Sequence, residues 1–288
     1  MSRISATHES REGDRPSGPF DVGIYDNVVT ELFEQDRRSL LAVQDAVRRR
    51  LPSYSYLEIG SHLGGSLQPF LHDPVCLHVY SIDPRPPTQP DQRGVAFAYP
   101  ENSTQRMIEM LTPAYGPALA KLRTFESDAR DVPGVDAPPD ICFIDGEHTD
   151  AAVLSDFRST LRLAAPNAVI AFDDLNIIFR GYAQCLAYLR EQRIEHRSYV
   201  LPMKIGVIEL RDSRLWSDAV IVDRLASVEA FLFLAETLGH YRDGILALKR
   251  LPGAELVRRV VARLPFGGAL RPRANPYSGE YTRKQRSD

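Results

Sequence analysis

The sequence predicts an α/β fold: a mostly parallel sheet of seven strands with helices on both faces. Three observations predict it. Between Tyr54 and Leu210, short apolar runs alternate with helix-compatible stretches. Several runs end in an acid or a glycine, as strands do where a buried parallel sheet meets its carboxyl-edge loops. The last two runs are separated by a gap too short for a crossover helix, which makes them an antiparallel hairpin at the sheet edge.

The elements follow in order. Residues 1–18 (MSRISATHESREGDRPSG) are polar and lack an apolar h-region, so they read as a disordered N-terminus and not as a secretory signal. Over 22–50, Val28, Leu32, Leu40, Leu41, Val43 and Val47 recur at roughly helical spacing and predict one or two leading helices, ended by Pro52. Five strands are expected at 55–60 (SYLEIG), 78–83 (HVYSID), 122–127 (LRTFES), 140–145 (DICFID) and 168–174 (AVIAFDD). Helices are expected between and after them at 64–72, 103–112, 149–164 and 177–193, and the edge hairpin at 197–201 and 204–210. Ser103 or Asn102 would cap the second of these helices. Residues 213–247 read as one or two further helices. This gives one domain over 19–248 with its core at 54–210. Residues 249–288 form a separate basic region: a helix candidate at 254–264 (AELVRRVVARL), then a tail rich in Pro, Gly and Arg. Tyr182, Tyr188 and Trp216 fit core positions better than the wall of a pocket.

Composition narrows the function classes. The chain has 288 residues, 43% hydrophobic and 25% charged, enough for one large α/β domain with additions. Its net charge of -3 argues against a nucleic-acid binder. The charge is uneven: residues 249–288 hold ten Lys/Arg against three Asp/Glu, and the rest is acidic. Cys76, Cys142 and Cys185 are odd in number and form no CxxC pair, which excludes a disulfide scaffold and a zinc knuckle and fits a reducing cytoplasm. No apolar stretch is long enough to span a bilayer, and the sequence leaves homo-oligomerisation open.

The first strand-turn-helix, YLEIGSHLGGSL, sets Glu58 near a strand end and Gly60, Ser61, Gly64, Gly65 and Ser66 in the turn. Glycines there allow a sharp bend and close approach of a ligand, and the following helix N-terminus would favour a carboxylate or phosphate. The spacing Gly60-x-x-x-Gly64 is not G-x-G-x-x-G and fits a pyrophosphate poorly, which disfavours an NAD-dependent oxidoreductase. Asp83 ends the second strand 19 residues after Gly64, where an acid can take both ribose hydroxyls. Asp128 follows the third strand, where an acid could hold an adenine amino group. A nucleoside cofactor without a pyrophosphate fits this series.

DICFIDGEHTDAAVLSDF and AVIAFDDL supply a second constellation. Asp145 ends the fourth strand; Asp173 and Asp174 end the fifth. Adjacent parallel strands bring these three carboxylates to one sheet edge, where they repel each other unless a positive charge sits between them. A hard dication, Mg²⁺ above all, meets that need. His148, three residues beyond Asp145, would lie beside the same cleft, placed to take a proton from a substrate hydroxyl.

Glu58-x-Gly60-x-x-x-Gly64-x-Ser66, then Asp83, then Asp128, resembles the cofactor side of class I S-adenosylmethionine-dependent methyltransferases. The resemblance implies a Rossmann-like sheet ordered 3-2-1-4-5-7-6, with Asp83 on ribose and the glycine turn against the methionine part. FIDGEH followed by FDD resembles the branch of macrocin and mycinamicin sugar O-methyltransferases and cephalosporin hydroxylase-like proteins; catechol-type O-methyltransferases arrange their metal ligands similarly. It implies Asp145, Asp173 and Asp174 as metal ligands, Asp145 also against the cofactor, and His148 with Asp145 as the catalytic pair. The implied reaction is Mg²⁺-assisted methylation of a hydroxyl on a sugar or other natural-product-like small molecule. The likeness covers about residues 54–210. One departure is Asp150, where some relatives carry an aromatic residue. A metal-independent methyltransferase and a non-catalytic nucleoside-binding protein of the same fold are the alternatives.

Overall fold

The computed structural model describes residues 21–249, and the chain divides into two units between Glu236 and Thr237. The expected disorder of residues 1–18 and the basic helix at 254–264 lie outside the described residues. The account below concerns the first unit.

Among the described residues nine strands form: β1 (Tyr54–Ile59), β2 (Cys76–Ile82), β3 (Thr88–Pro90), β4 (Ala96–Ala98), β5 (Leu122–Phe125), β6 (Ile141–Ile144), β7 (Val169–Phe172), β8 (His196–Leu201) and β9 (Ile205–Leu210). Seven make one sheet in the order β5-β2-β1-β6-β7-β9-β8. Only the pairs involving β9 are antiparallel in this sheet. Counted along the chain, those seven strands run 3-2-1-4-5-7-6, the order of the class I methyltransferase frame, so the Rossmann-like expectation holds.

The helices are α1 (Glu34–Arg50), α2 (Gln68–His72), α3 (Thr104–Tyr115), α4 (Asp150–Leu163), α5 (Leu175–Glu191), α6 (Ala219–Val222) and α7 (Val228–Lys249), the last crossing the boundary between the units. β1, β6, β7 and β9 are buried along their whole length, which is why they read as continuous apolar runs. Alternate residues feed two cores. Tyr56 and Phe143 join Leu40, Val43 and Phe70 on one face; Leu57 and Cys142 join Phe157, Tyr182 and Leu189 on the other. Each large apolar side chain so buried stabilises the fold by roughly 1.5–3 kcal/mol. Tyr182 is core, its hydroxyl donating to Val207 O at 2.9 Å, while Tyr188 and Trp216 carry arginines, Arg158 and Arg197, over their rings. All three cysteines are buried and unpaired. Among the described residues no helix is long and apolar enough to cross a membrane.

Two local expectations are corrected. The helix expected from residue 64 begins only at Gln68 and lasts five residues. Gly64 takes φ +81°, and a Cβ on Gly65 would stand 2.3 Å from Val29 O, so the chain packs against the leading segment before it can wind. Gln68 seals that contact: its Nε2 donates to the carbonyls of Tyr25, Val28 and Gly65. The stretch 88–98 draws no strand assignment from its sequence, yet β3 and β4 pair there as a small hairpin.

Candidate active site

The carboxyl ends of β1, β2, β6 and β7 converge on one cleft wall. Gly60, at φ +89°, lets the β1 turn lie directly on the β6 turn; a Cβ there would stand 2.2 Å from Asp145 O. The first half of the wall is the glycine turn. Glu58 is fully buried and accepts from Tyr56 Oη at 2.6 Å and from Ser66 Oγ. Burial raises its pKa to about 7, although both hydroxyls and Arg85 pull it down. Glu58 and Ser66 therefore brace the turn from behind. Asp83 lies in front, 2% exposed, its two oxygens accepting from the backbone amides of His62 (2.9 Å) and Arg85 (2.8 Å). Ser61 Oγ is 2.5 Å from Ser81 Oγ.

Arg85, which no sequence motif singles out, folds back across this turn. Its guanidinium donates to His62 O, to Asn102 Oδ1 at 2.9 Å and to Thr104 Oγ1 at 3.1 Å. Ser103 caps α3 as expected, its Oγ accepting from Arg106 N at 3.1 Å. Asp128 sits apart, 37% exposed in its side chain, capping a short 3₁₀ turn and paired with Arg130 at 2.8 Å.

The second half is the acidic cluster. Asp145 follows β6, and Asp173 and Asp174 follow β7, with Asp174 in the left-handed region at φ 51°. His148 lies in the turn before α4, whose N-cap is Thr149. Its Nε2 is 3.2 Å from Asp145 Oδ1 and its Nδ1 3.2 Å from Asp174 Oδ2. Burial lowers the His148 pKa, but the hydrogen bond to Asp145 and the charges of Asp145, Asp174 and Asp173 outweigh it and bring it to about 9. Burial and Asp173 drive the Asp145 carboxyl well above the usual carboxylate range, against the pull of His148.

Sequence reasoning missed a cation in this cluster. Lys204, in the β8–β9 turn, places Nζ 3.0 Å from Asp173 Oδ2, 2.5 Å from Asp174 Oδ1 and 3.4 Å from Asp36 Oδ2. Asp36, in the first turn of α1, is fully buried, and burial with the nearby Asp173 charge raises its pKa to about 6. No sequence spacing announces this grouping, because three separate elements supply it.

The donor set fits a hard cation. Ligand atoms of Asp145, His148 and Asp173 lie within 4.8 Å of one another, and among the described residues the buried Asp173 Oδ1 has no hydrogen-bond partner. The hairpin braces the loop that carries His148: Gln92 N donates to His148 O at 2.8 Å, and Gln92 Oε1 accepts from Asp150 N at 3.0 Å. The Asp150 carboxylate accepts from Gly181 N at 2.7 Å and so ties α4 to α5. Tyr99, just past the hairpin, packs edge-on against His62 at 5.0 Å and reaches Glu31 at 3.4 Å.

A Rossmann-like sheet with strand-end acids and a glycine turn at its carboxyl edge defines the class of nucleoside-cofactor α/β proteins. Within it, residues 57–175 match the family described as "Methyltransferase domain". The chain is similar in structure to the O-methyltransferase from Bacillus cereus in complex with SAH, at 13% identity, covering 66% of this chain and 86% of that one with a TM-score of 0.45. It is also similar to the O-methyltransferase TomG from Streptomyces achromogenes, involved in tomaymycin synthesis and solved with SAM, at 15% identity, 66% and 85% coverage and a TM-score of 0.44. A third likeness is to a ribosomal protein L11 methylase from Lactobacillus delbrueckii subsp. bulgaricus, at 10% identity, 64% and 81% coverage and a TM-score of 0.40. No curated protein matches the sequence.

Proposed function

We propose that the protein is an S-adenosylmethionine-dependent O-methyltransferase acting on a hydroxyl of a small molecule, with a divalent cation at the acidic cluster. The observation that carries this reading is the placement of His148 between Asp145 and Asp174, beside the glycine turn, on a methyltransferase domain. Ser61, Gly60, Gly64 and Asp83 would hold the cofactor, Asp83 through the second lone pairs of its oxygens, with Asp128 at the adenine end and the Asp145 turn closing the wall. Glu58 and Ser66 would support that surface from below. Asp145 and the unpartnered oxygen of Asp173 would hold the metal, with Asp174 shared between it and Lys204. When bound, the metal lowers the pKa of an acceptor hydroxyl and fixes its direction.

His148 takes the acceptor's proton. It can do so only as neutral imidazole, and the surrounding carboxylates hold its proton tightly. Charge balance in the cluster therefore governs the step. Acceptors of the sugar or natural-product kind fit a site built from hydrogen-bonding side chains, and a cytoplasmic location fits three buried free thiols. A second reading, methyl transfer without metal, is favoured by one observation: Lys204 already supplies a positive charge to Asp173 and Asp174.

Calorimetric titration of S-adenosylmethionine, with and without Mg²⁺, tests the proposal on wild type and Asp83→Asn. Binding that weakens at least tenfold in Asp83→Asn is the expected result. Absence of binding in every condition would leave a non-catalytic protein of this fold. EDTA treatment of active enzyme then separates the metal-assisted from the metal-free reading.

A further inference from the structure

The acidic cluster carries its own cation, and this has a consequence for any other. Lys204 is anchored at both ends. Its backbone O accepts from Leu175 N at 2.9 Å, which ties the β8–β9 turn to the start of α5, and its Nζ lies 5.2 Å from the centre of the Phe33 ring. The side chain is 11% exposed, so water and salt screen its charge weakly. Asp173 is divided: Oδ2 takes the ammonium at 3.0 Å, and Oδ1 has no partner among the described residues. The same Asp173 belongs to the Asp145–His148–Asp173 group whose ligand atoms converge. A dication on that group would share one carboxylate with an ammonium, and two positive charges on one carboxylate repel.

We propose that Lys204 is the residue that sets how tightly this site takes a divalent cation: its ammonium competes for Asp173 and Asp174 and holds metal affinity down. The inference rests on the cation-binding reading of the carboxylates. A lysine suits the task because its compact point charge approaches three carboxylates at once, whereas a planar guanidinium would seek one in two-pronged fashion.

The test is calorimetric titration of Mn²⁺ and Mg²⁺ into wild type, Lys204→Met, Lys204→Gln and Lys204→Arg, with melting temperatures recorded in EDTA and in excess metal. Both neutral variants are expected to bind metal at least tenfold more tightly than wild type, about 1.4 kcal/mol, and to gain more melting temperature on metal addition. Lys204→Arg, which keeps the charge but not the compact geometry, is expected to bind metal less tightly than either neutral variant. A neutral variant that folds only when metal is present is also the expected behaviour, because metal then replaces the lost ammonium. Unchanged or weaker metal affinity in both neutral variants overturns the proposal, as does failure of both to fold in either buffer, which would make Lys204 purely structural. Absence of metal binding in all four proteins overturns it too. Titrating S-adenosylmethionine into the same samples keeps that failure distinct from failure of the methyltransferase reading.

Discussion

The two halves of the cleft wall keep strand-end acids in opposite ways. At β1 and β2, the hydrogen bonds to Glu58 and Asp83 come from neutral donors, two hydroxyls for the first and two backbone amides for the second, with the Arg85 guanidinium farther off, 3.7 Å from Asp83. At β6 and β7, Asp145, Asp173 and Asp174 are paired with His148 and with Lys204, which comes from some 30 residues further along the chain, and Asp173 Oδ1 has no partner among the described residues. Neutral donors leave a carboxylate able to accept more hydrogen bonds without altering the local charge, which suits holding a nucleoside. Ionic partners make every change of charge felt by the rest of the cluster, which suits moving a proton. Under the proposed function, the difference would separate a binding half from a reacting half.

The hardest break in that division is at His148. His148→Gln is expected to lower methyl transfer by about 10²–10⁴-fold, the usual worth of a general base, while cofactor affinity by calorimetry stays near wild type. Equal loss of both would make the two halves one unit. Next in size is the seam between them. Gly60→Ala must relieve a 2.2 Å approach to Asp145 O at a positive φ, which should cost about 3 kcal/mol or more. Urea unfolding would read that loss, and a stable variant would show that the turns can part.

Glu58 sharpens the comparison through pH. Its pKa is raised from 4.5 to about 7 by burial, so the folded state binds the extra proton. Its contribution is fully present below about pH 4.5 and lost as pH rises towards 7, on the order of 3 kcal/mol across the window. Glu58→Gln, which cannot ionise, should flatten that part of a plot of melting temperature against pH; an unchanged slope would assign the charge penalty elsewhere. The smallest expected effect is at the hairpin. Gln92→Ala removes the side-chain bond to Asp150 N and should cost about 1 kcal/mol, with a modest fall in turnover and little change in cofactor affinity. A loss of affinity instead would place the hairpin on the binding half.

The sheet was legible because its strands are buried on both faces. Burial forces continuous apolar runs, and the short Pro202–Lys204 gap between the last two forces an antiparallel edge. Asp145, His148, Asp173 and Asp174 were legible because strand ends of a parallel sheet have fixed neighbours. The β3–β4 hairpin was not, since its strands are only three residues long, too short for an alternation to show, and its tip is tied through Gln92 to a loop more than fifty residues away. The five-residue α2 was overestimated because helical periodicity says nothing of Val29 O pressing on Gly65.

By itself, then, the sequence determined which runs are strands and which acids end them, both of which follow from local pattern and the periods of helix and strand, while the strand order was implied by the resemblance to the class I methyltransferases. Only the tertiary structure decided what neutralises those acids. Lys204, Asp36 and Asp173 come from the β8–β9 turn, α1 and the end of β7, and no period links them. Coulomb energy depends on distance in space and not on separation along the chain, so the partner of a buried charge becomes visible only when the chain has closed around it.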